Sequence, residues 1–192
     1  MTAEAAGTDP AWLVVVDMQR VFGDADSPWA MPAFADVVPA VNALVERFEG
    51  RTVFTRFVPP ERPAGSWQDY YARWPFALTP AAAPFWELVP EVPTRGAAVI
   101  GAPTMSKWVP ELRDALGGSR DLVVCGVATD CCVLSTTLAA IDDGARVRVV
   151  ADACAALSPE SQERSLAALA LYGPQVRVVT ADQLGQPHDP LS

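Results

Sequence analysis

Three residues of types that serve in acid–base or nucleophilic chemistry follow short apolar runs of the sequence. Asp17 comes directly after the run 12–16, and Cys132 lies shortly after the run 122–125. Lys107 is the only lysine of the chain and also lies shortly after an apolar run. In open α/β sheets, ligands bind beyond the carboxyl ends of the strands. Polar residues in such positions are therefore the first candidates for a site.

The segment around Cys132 reads as a strand, a tight turn at Gly126 and the start of a helix. A thiol in the first turn of a helix faces the positive end of the helix dipole, which lowers its pKa and favours the thiolate. The unpaired N–H groups there can also receive a developing oxyanion. Because free cysteines are most often small buried residues, Cys131 and Cys132 both keep a structural alternative. Cys125 and Cys154 lie in or beside apolar runs and are predicted to be core residues.

The other two candidates have structural alternatives as well. A carboxylate desolvated at the edge of a sheet, as expected for Asp17, has a raised proton affinity, but it could equally cap a neighbouring turn. Most lysines are solvated surface charges, so the position of Lys107 alone does not establish a role.

The histidine count limits the chemistry further. The chain has one histidine, His188, in a proline-rich tail where nothing is expected to hold it rigidly. This argues against Ser-His-Asp and Cys-His catalysis and against multi-histidine metal sites. The four cysteines lack the CxxC spacing of zinc or redox sites. We therefore predict neither a metal nor another cofactor.

Charge and hydropathy exclude other classes of partner. The chain carries 14 basic and 23 acidic residues, a formal net charge of −9, without a basic cluster. This balance opposes binding to nucleic acid and to anionic membranes. No apolar run approaches the roughly 18 residues that span a bilayer, and residues 1–9 do not resemble a secretory signal. We expect a cytoplasmic protein.

Short apolar runs alternate with segments of helical periodicity along most of the chain. Such runs are typical of strands covered on both faces, and their alternation with helices predicts a mostly parallel sheet. We expect one α/β domain over residues 1–192, a three-layer α/β/α sandwich with a six-stranded, mostly parallel sheet. The predicted strands span 12–16, 52–57, 97–100, 122–125, 147–151 and 176–180, and the predicted helices span 38–48, 110–116, 132–141 and 159–172.

Residues 59–93 interrupt this alternation with eight prolines and several aromatic residues. Long excursions in compact domains are usually lids, binding loops or interfaces, and we place this one at about 58–95. Its aromatic side chains could form the wall of a pocket or a subunit interface. They are Trp67, Tyr70, Tyr71, Trp74, Phe76, Phe85 and Trp86.

Three motifs follow one another in a specific order. Asp17-Met18-Gln19 follows the first predicted strand, Ser106-Lys107-Trp108 lies in the middle of the chain, and 126–133 carries the pattern Gly-x-x-Thr-x-x-Cys-Val. Together they resemble the isochorismatase-like superfamily of cysteine hydrolases, and the resemblance covers nearly the whole chain. It implies that superfamily's Rossmann-like fold.

The resemblance also assigns roles to the residues. It implies that Cys132 is the nucleophile, that Asp17 takes its proton and that Lys107 holds both groups in place. It further implies a cis peptide between Val127 and Ala128, so that the N–H groups of Ala128 and Cys132 form an oxyanion hole. Cys131 becomes a non-catalytic neighbour.

Two departures from the superfamily's patterns matter for the substrate. Nicotinamidases in this superfamily carry several histidines for a metal, which argues against that activity here. The residues after Lys107 also differ from the common pattern, so neighbouring substrate contacts cannot be carried over. The candidate substrate-binding residues are Phe22, Arg56, Trp74, Trp108 and Thr129, of which Arg56 could pair with a substrate carboxylate or form a surface salt bridge.

The predicted function is hydrolysis of a small amide, N-carbamoyl (ureido) or lactam C–N bond through a thioester on Cys132. One alternative is vinyl-ether hydrolysis of the isochorismatase type, which does not need the cysteine. Another is a catalytically silent scaffold or a thiol sensor that uses Cys131 and Cys132. The expected partners are a small-molecule substrate and further copies of the chain, in a dimer or tetramer.

Overall fold

The computed structural model describes residues 10–184, and its strands in that range form one sheet. Six strands lie in the order β3-β2-β1-β4-β5-β6, and every pair of neighbours is parallel. The strand order reverses between β1 and β4, which makes their carboxyl ends the switch point where open α/β sheets bind ligands. The strands are β1 Trp12–Val16, β2 Thr52–Phe57, β3 Ala98–Ala102, β4 Asp121–Val127, β5 Arg146–Ala155 and β6 Val176–Val179.

Helices flank the sheet, which confirms the predicted three-layer α/β/α sandwich. The long helix between β1 and β2 packs on β1, β4 and β5, and the helix after β4 packs on β5. In the described range, no helix has both the length and the apolar character needed to cross a membrane. The helices are α1 Arg20–Gly23, α2 Phe34–Arg47, α3 Trp67–Arg73, α4 Pro110–Ala115, α5 Leu134–Asp142 and α6 Pro159–Ala170.

The core is built on the two central strands. Leu13, Val14, Val15 and Val16 of β1 are all at most 1% exposed, so consecutive side chains are buried on both faces of the sheet. Burying each such side chain is worth about 1.5–3 kcal/mol. This is why these strands appear in the sequence as continuous apolar runs and not as an alternating pattern.

Helix boundaries follow local signals where the sequence provides them. Ser158 caps α6, because its Oγ accepts a hydrogen bond of 3.2 Å from the N–H of Ser161. Helix α2 begins at Phe34, four residues before the predicted start, without a capping side chain and with Pro39 inside it. Its start therefore lacks the usual sequence signals.

Strand β5 is longer than predicted and includes Cys154, which the sequence analysis placed after the strand. Between Val124 and Gly126 of β4, the register against β5 shifts, so that Gly126 pairs with Cys154. The shift is an irregularity of the β-bulge type, after which the two strands continue to pair. The apolar pattern of the sequence does not reveal it.

The excursion after β2 is structured. It contains α3 and two 3₁₀ helices, Pro75–Leu78 and Pro80–Trp86. Gln19 is fully buried and ties this segment to the sheet: its amide donates to the carbonyl oxygens of Phe57 and Trp86, and its Oε1 accepts from the N–H of Phe57. The excursion is thereby anchored two residues from Asp17.

Candidate active site

Asp17 lies directly beyond β1 with an unusual backbone conformation. Its φ is +50°, and its side chain is fully buried. Non-glycine residues in this region cost about 1–3 kcal/mol, and such strain clusters at functional sites. Oδ1 accepts a hydrogen bond of 2.7 Å from Oγ1 of Thr55 on β2. The carboxylate is therefore held in one orientation at the switch point.

Lys107 is fully buried beside this carboxylate. Its Nζ lies 3.2 Å from Oδ2 of Asp17, donates to the carbonyl oxygen of Thr104 and lies 4.7 Å from the ring centroid of Phe57. Oδ2 has the charge contact but no well-aligned hydrogen bond with any described residue. That oxygen keeps acceptor capacity for another group.

Cys132 lies in a π-helical turn, Thr129–Val133, between β4 and α5. Short π-helical turns occur frequently at functional sites. The peptide bond between Val127 and Ala128 is cis, and the Ala128 carbonyl accepts hydrogen bonds from the N–H groups of Cys131 and Val133. These contacts fix the turn that presents Cys132.

Gly126 allows β4 to approach β1 at this point. Its φ is +108°, and a Cβ there would lie 2.1 Å from the carbonyl oxygen of Val16. Only glycine fits both the backbone conformation and the space. The close contact brings the turn that carries Cys132 next to Asp17.

The surroundings of Cys132 set its protonation. Burial raises the pKa of this thiol well above its ordinary value, and the negative charge of Asp17 raises it further, whereas Lys107 lowers it. The position of Cys132 near a helix start predicted a lowered pKa, but burial, the largest cause, raises it. This direction favours the thiol, so attack on a substrate needs a base.

A cavity of about 250 Å³ lies next to Cys132. Its wall includes Ala128 and Cys132, the two residues expected to supply the oxyanion hole. Most of the wall is apolar and aromatic. The remaining lining residues are Phe22, Pro28, Trp29, Met31, Phe57, Tyr70, Trp74, Met105, Asp130, Cys131 and Leu157.

The structure brings together Asp17, Lys107 and Cys132, and of the candidate substrate-binding residues it places Phe22 and Trp74 in the cavity wall. Arg56, Trp108 and Thr129 do not line this cavity. Successive side chains of a strand point to opposite faces of the sheet, so Arg56 lies on the other face from its neighbour Phe57, which lines the cavity. The Arg56 guanidinium lies 3.5 Å from the Glu87 carboxylate. Trp108 donates a hydrogen bond of 3.0 Å to Asp143, and Thr129 is fully buried.

Sequence reasoning missed several residues of the cavity wall, among them Asp130 and, at its centre, Trp29. It lies at the centre of the aromatic cluster, with six ring partners at centroid distances of 5.2–6.3 Å. It belongs to the segment between α1 and α2, which has no regular periodicity. The Pro28-Trp29 pair in a turn-rich segment was the only signal available.

A second cavity, of about 260 Å³, opens at the amino ends of β1, β2 and β3. Trp12, Thr52 and Ala98 are among its lining residues, and it contains none of the three candidate catalytic residues. Open α/β sheets rarely bind ligands at this edge.

Within residues 10–184, no three His, Cys, Asp or Glu side chains are grouped as metal ligands. His188 lies outside the described residues. The described side chains do not provide a ligand set for zinc.

Comparisons with known proteins identify the family and the fold. The isochorismatase domain model matches residues 11–183. Isochorismatase domain-containing protein 2 from Pongo abelii is 41% identical over 88 residues, and the aligned segment spans 43% of this chain and only 42% of that relative.

Two solved structures have the same fold. An isochorismatase-like hydrolase from Alkaliphilus metalliredigens is 22% identical, with a TM-score of 0.78 over 91% of this chain and 97% of the other. A pyrazinamidase from Pyrococcus horikoshii, solved in complex with zinc, is 27% identical, with a TM-score of 0.71 over 90% and 99% of the two chains.

Proposed function

This chain belongs to the isochorismatase family of hydrolases, and we propose that it hydrolyses a small amide-like C–N bond through Cys132. The observation that carries the proposal is the fully buried Asp17–Lys107 pair beside a buried thiol, at the edge of a small cavity. Burying such a charged pair is costly unless it is well compensated. A catalytic role explains why this cost is tolerated.

The first step moves the proton of the Cys132 thiol to Asp17. The pair begins as a carboxylate and a thiol, and it ends as a carboxylic acid and a thiolate. The net charge of the site does not change, and the nearby ammonium of Lys107 stabilises whichever group is negative. Although the pKa of the thiol is raised, its deprotonation therefore requires neither a free hydroxide ion nor an imidazole.

The thiolate then attacks the carbonyl carbon, and the C=O electron pair moves onto the oxygen. The N–H groups of Ala128 and Cys132 are proposed to receive this oxyanion. When the intermediate collapses, the C–N bond breaks and Asp17 returns its proton to the leaving nitrogen. A thioester on Cys132 remains.

Hydrolysis of the thioester completes the cycle. Asp17 is again a carboxylate and can remove a proton from water as it attacks the thioester carbonyl. The C–S bond breaks, Asp17 gives this proton to the leaving sulfur, the acid departs, and the thiol and the carboxylate are both restored. Overall, one amide and one water give one acid and one amine or ammonia.

The pyrazinamidase of similar fold supports an amide over an ether, since its name denotes an amidase. Its chain is aligned over 99% of its length with this one. Vinyl-ether hydrolysis has less support from the site, because it would leave the Cys132 thiol unused.

The test is release of ammonia or product acid from a panel of small amides, ureido acids and lactams. The native protein is compared with Cys132→Ala and with Cys131→Ala, a matched control that removes the exposed neighbouring thiol. We expect turnover in the native protein and in Cys131→Ala, and a loss of at least about 10³-fold in Cys132→Ala. Full turnover of these substrates in a correctly folded Cys132→Ala protein would rule out the cysteine mechanism.

A further inference from the structure

The wall of the cavity beside Cys132 is rich in aromatic side chains and lacks cationic ones among the described residues. Five aromatic residues line it, and no described lysine or arginine does. Lys107 is close by, but its charge already faces Asp17. A substrate carboxylate would find no free cation in this wall, and its burial there would be costly. The aromatic residues are Phe22, Trp29, Phe57, Tyr70 and Trp74.

Asp130 is the only carboxylate among the described residues of this wall. Its Oδ1 is buried and makes no hydrogen bond with any described residue. The pKa of the neighbouring Cys131 thiol is raised, mainly by burial and to a smaller extent by the negative charge of Asp130. Because Asp130 lies in the cavity wall, a ligand cation that reaches its carboxylate gains a charge-assisted hydrogen bond.

A carboxylate and aromatic ring faces attract the same kind of group. Organic ammonium ions bind over the faces of tryptophan and tyrosine rings and are held by carboxylates. The formal net charge of −9 also favours the approach of a cation over that of an anion.

On the premise that the proposed amide hydrolysis is correct, we infer that the substrate carries an ammonium group in its acyl part. Asp130 binds this group, and the rings of Trp29, Tyr70 and Trp74 surround it. The cavity of about 250 Å³ is smaller than the roughly 300–1,000 Å³ of sites for drug-sized ligands. The ammonium and the amide are therefore separated by no more than one ring or a short chain.

The first test compares three amides that share one ring: benzamide, 3-(aminomethyl)benzamide and 3-carboxybenzamide. We expect kcat/KM for the aminomethyl compound to exceed that for benzamide by about tenfold, and the carboxylated compound to be the poorest substrate. A carboxylated amide that is the best of the three, or an aminomethyl compound no better than benzamide, would overturn the inference.

The second test assigns the preference to Asp130. In Asp130→Asn, the ratio of kcat/KM between the aminomethyl compound and benzamide should fall about tenfold, toward one. A general loss of activity cancels in this ratio. Asp114→Asn is the matched control, since this exposed carboxylate on α4 lies outside the cavity wall, and it should keep the native ratio. An unchanged ratio in Asp130→Asn would overturn the assignment.

A binding experiment separates this inference from the proposed function. Benzylamine, benzyl alcohol and benzoate are titrated into Cys132→Ala, and binding is measured by isothermal titration calorimetry. Benzylamine should bind most tightly and benzoate least, whether or not any amide is hydrolysed. Tighter binding of benzoate, or binding of none of the three, overturns the inference, whereas turnover retained in Cys132→Ala overturns only the cysteine mechanism.

Discussion

At the scale of single residues, the site depends on the buried ion pair between Asp17 and Lys107. Each charge is tolerated in the interior because the other lies beside it. Both Asp17 and Lys107 are fully buried, and their charged atoms are 3.2 Å apart. The attraction between them is offset by the cost of removing both from water. Removal of one partner leaves the other uncompensated.

We predict that Lys107→Met lowers the free energy of unfolding by about 3–5 kcal/mol, because Asp17 loses its cation in a buried position. Urea denaturation measures the change. The double variant Asp17→Asn/Lys107→Met should recover much of this stability, since both charges are gone and asparagine tolerates the positive φ at position 17. A double variant no more stable than Lys107→Met would contradict this account.

The residue scale is also where the sequence was most informative. Asp17, Lys107 and Cys132 became candidates because each follows an apolar run, and the resemblance to the isochorismatase-like superfamily then implied their roles. The walls of the cavity could not be identified in this way. Trp29 contributes through a segment without periodicity. For Arg56 the sequence left a substrate contact and a surface salt bridge open, and the structure shows the salt bridge to Glu87.

At the scale of elements, the junction of β1 and β4 positions the site. The two strands pair from Trp12 with Leu122 to Val16 with Gly126. The backbone turns toward Cys132 directly after this pairing ends. Any side chain at position 126 would push the two strands apart where Asp17 and the π-helical turn begin.

We predict that Gly126→Ala lowers the free energy of unfolding by more than about 3 kcal/mol, because the new Cβ meets backbone and the φ is unfavourable. Gly144→Ala is the matched control. Gly144 has a φ of +86° but no atom within 4 Å of the added Cβ, so this variant reports conformational strain alone, of about 1 kcal/mol. Equal losses in the two variants, measured by urea denaturation, would show that the close approach of the strands is unimportant.

The aromatic cluster is the second element-scale feature, since Trp29 joins the segment after α1 to the excursion after β2. We predict that Trp29→Leu raises KM for an amide substrate about tenfold, because the cavity wall loses its central ring. Steady-state kinetics measures this change. Trp12→Leu alters a tryptophan at the opposite edge of the sheet and should leave KM unchanged. A KM unaffected by Trp29→Leu would mean that the substrate does not contact this wall.

At the scale of the whole molecule, buried thiols connect stability to pH. Burial raises the pKa of Cys154 to about 12 from an ordinary 9.0. Above pH 9 the unfolded chain loses this proton while the folded chain keeps it. The stabilising contribution is therefore complete below pH 9 and is lost as the pH rises toward 12.

We predict that the free energy of unfolding falls above pH 9, by about 1.4 kcal/mol per pH unit for each such thiol. Cys154→Ala should make the decline between pH 10 and 11 shallower by about this amount, as measured by urea denaturation at each pH. The cavity left by the substitution shifts the whole curve but not its slope. Identical slopes for the native protein and Cys154→Ala would contradict the burial of this thiol.

The overall architecture could be predicted because short stretches of sequence mark each strand and helix. Apolar runs covered on both faces marked the strands, and the ranges of β1 and β2 agree with the sequence-based ones to the residue. The length of β5 and the start of α2 could not be predicted, because a shift of register and an uncapped helix start depend on tertiary contacts. The substrate was beyond the sequence for the same reason, since the cavity wall comes from six separate segments.

The central claim is that an acyl group is transferred to Cys132, and the most direct measurement is the mass of the intact protein after rapid acid quenching with its best amide substrate. We predict an increase equal to the acyl group, located by peptide mapping on Cys132 and absent from Cys132→Ala, while Cys131→Ala still forms the adduct. Amide turnover with the acyl group on Cys131, or on no cysteine under conditions where deacylation is slow, would contradict the account.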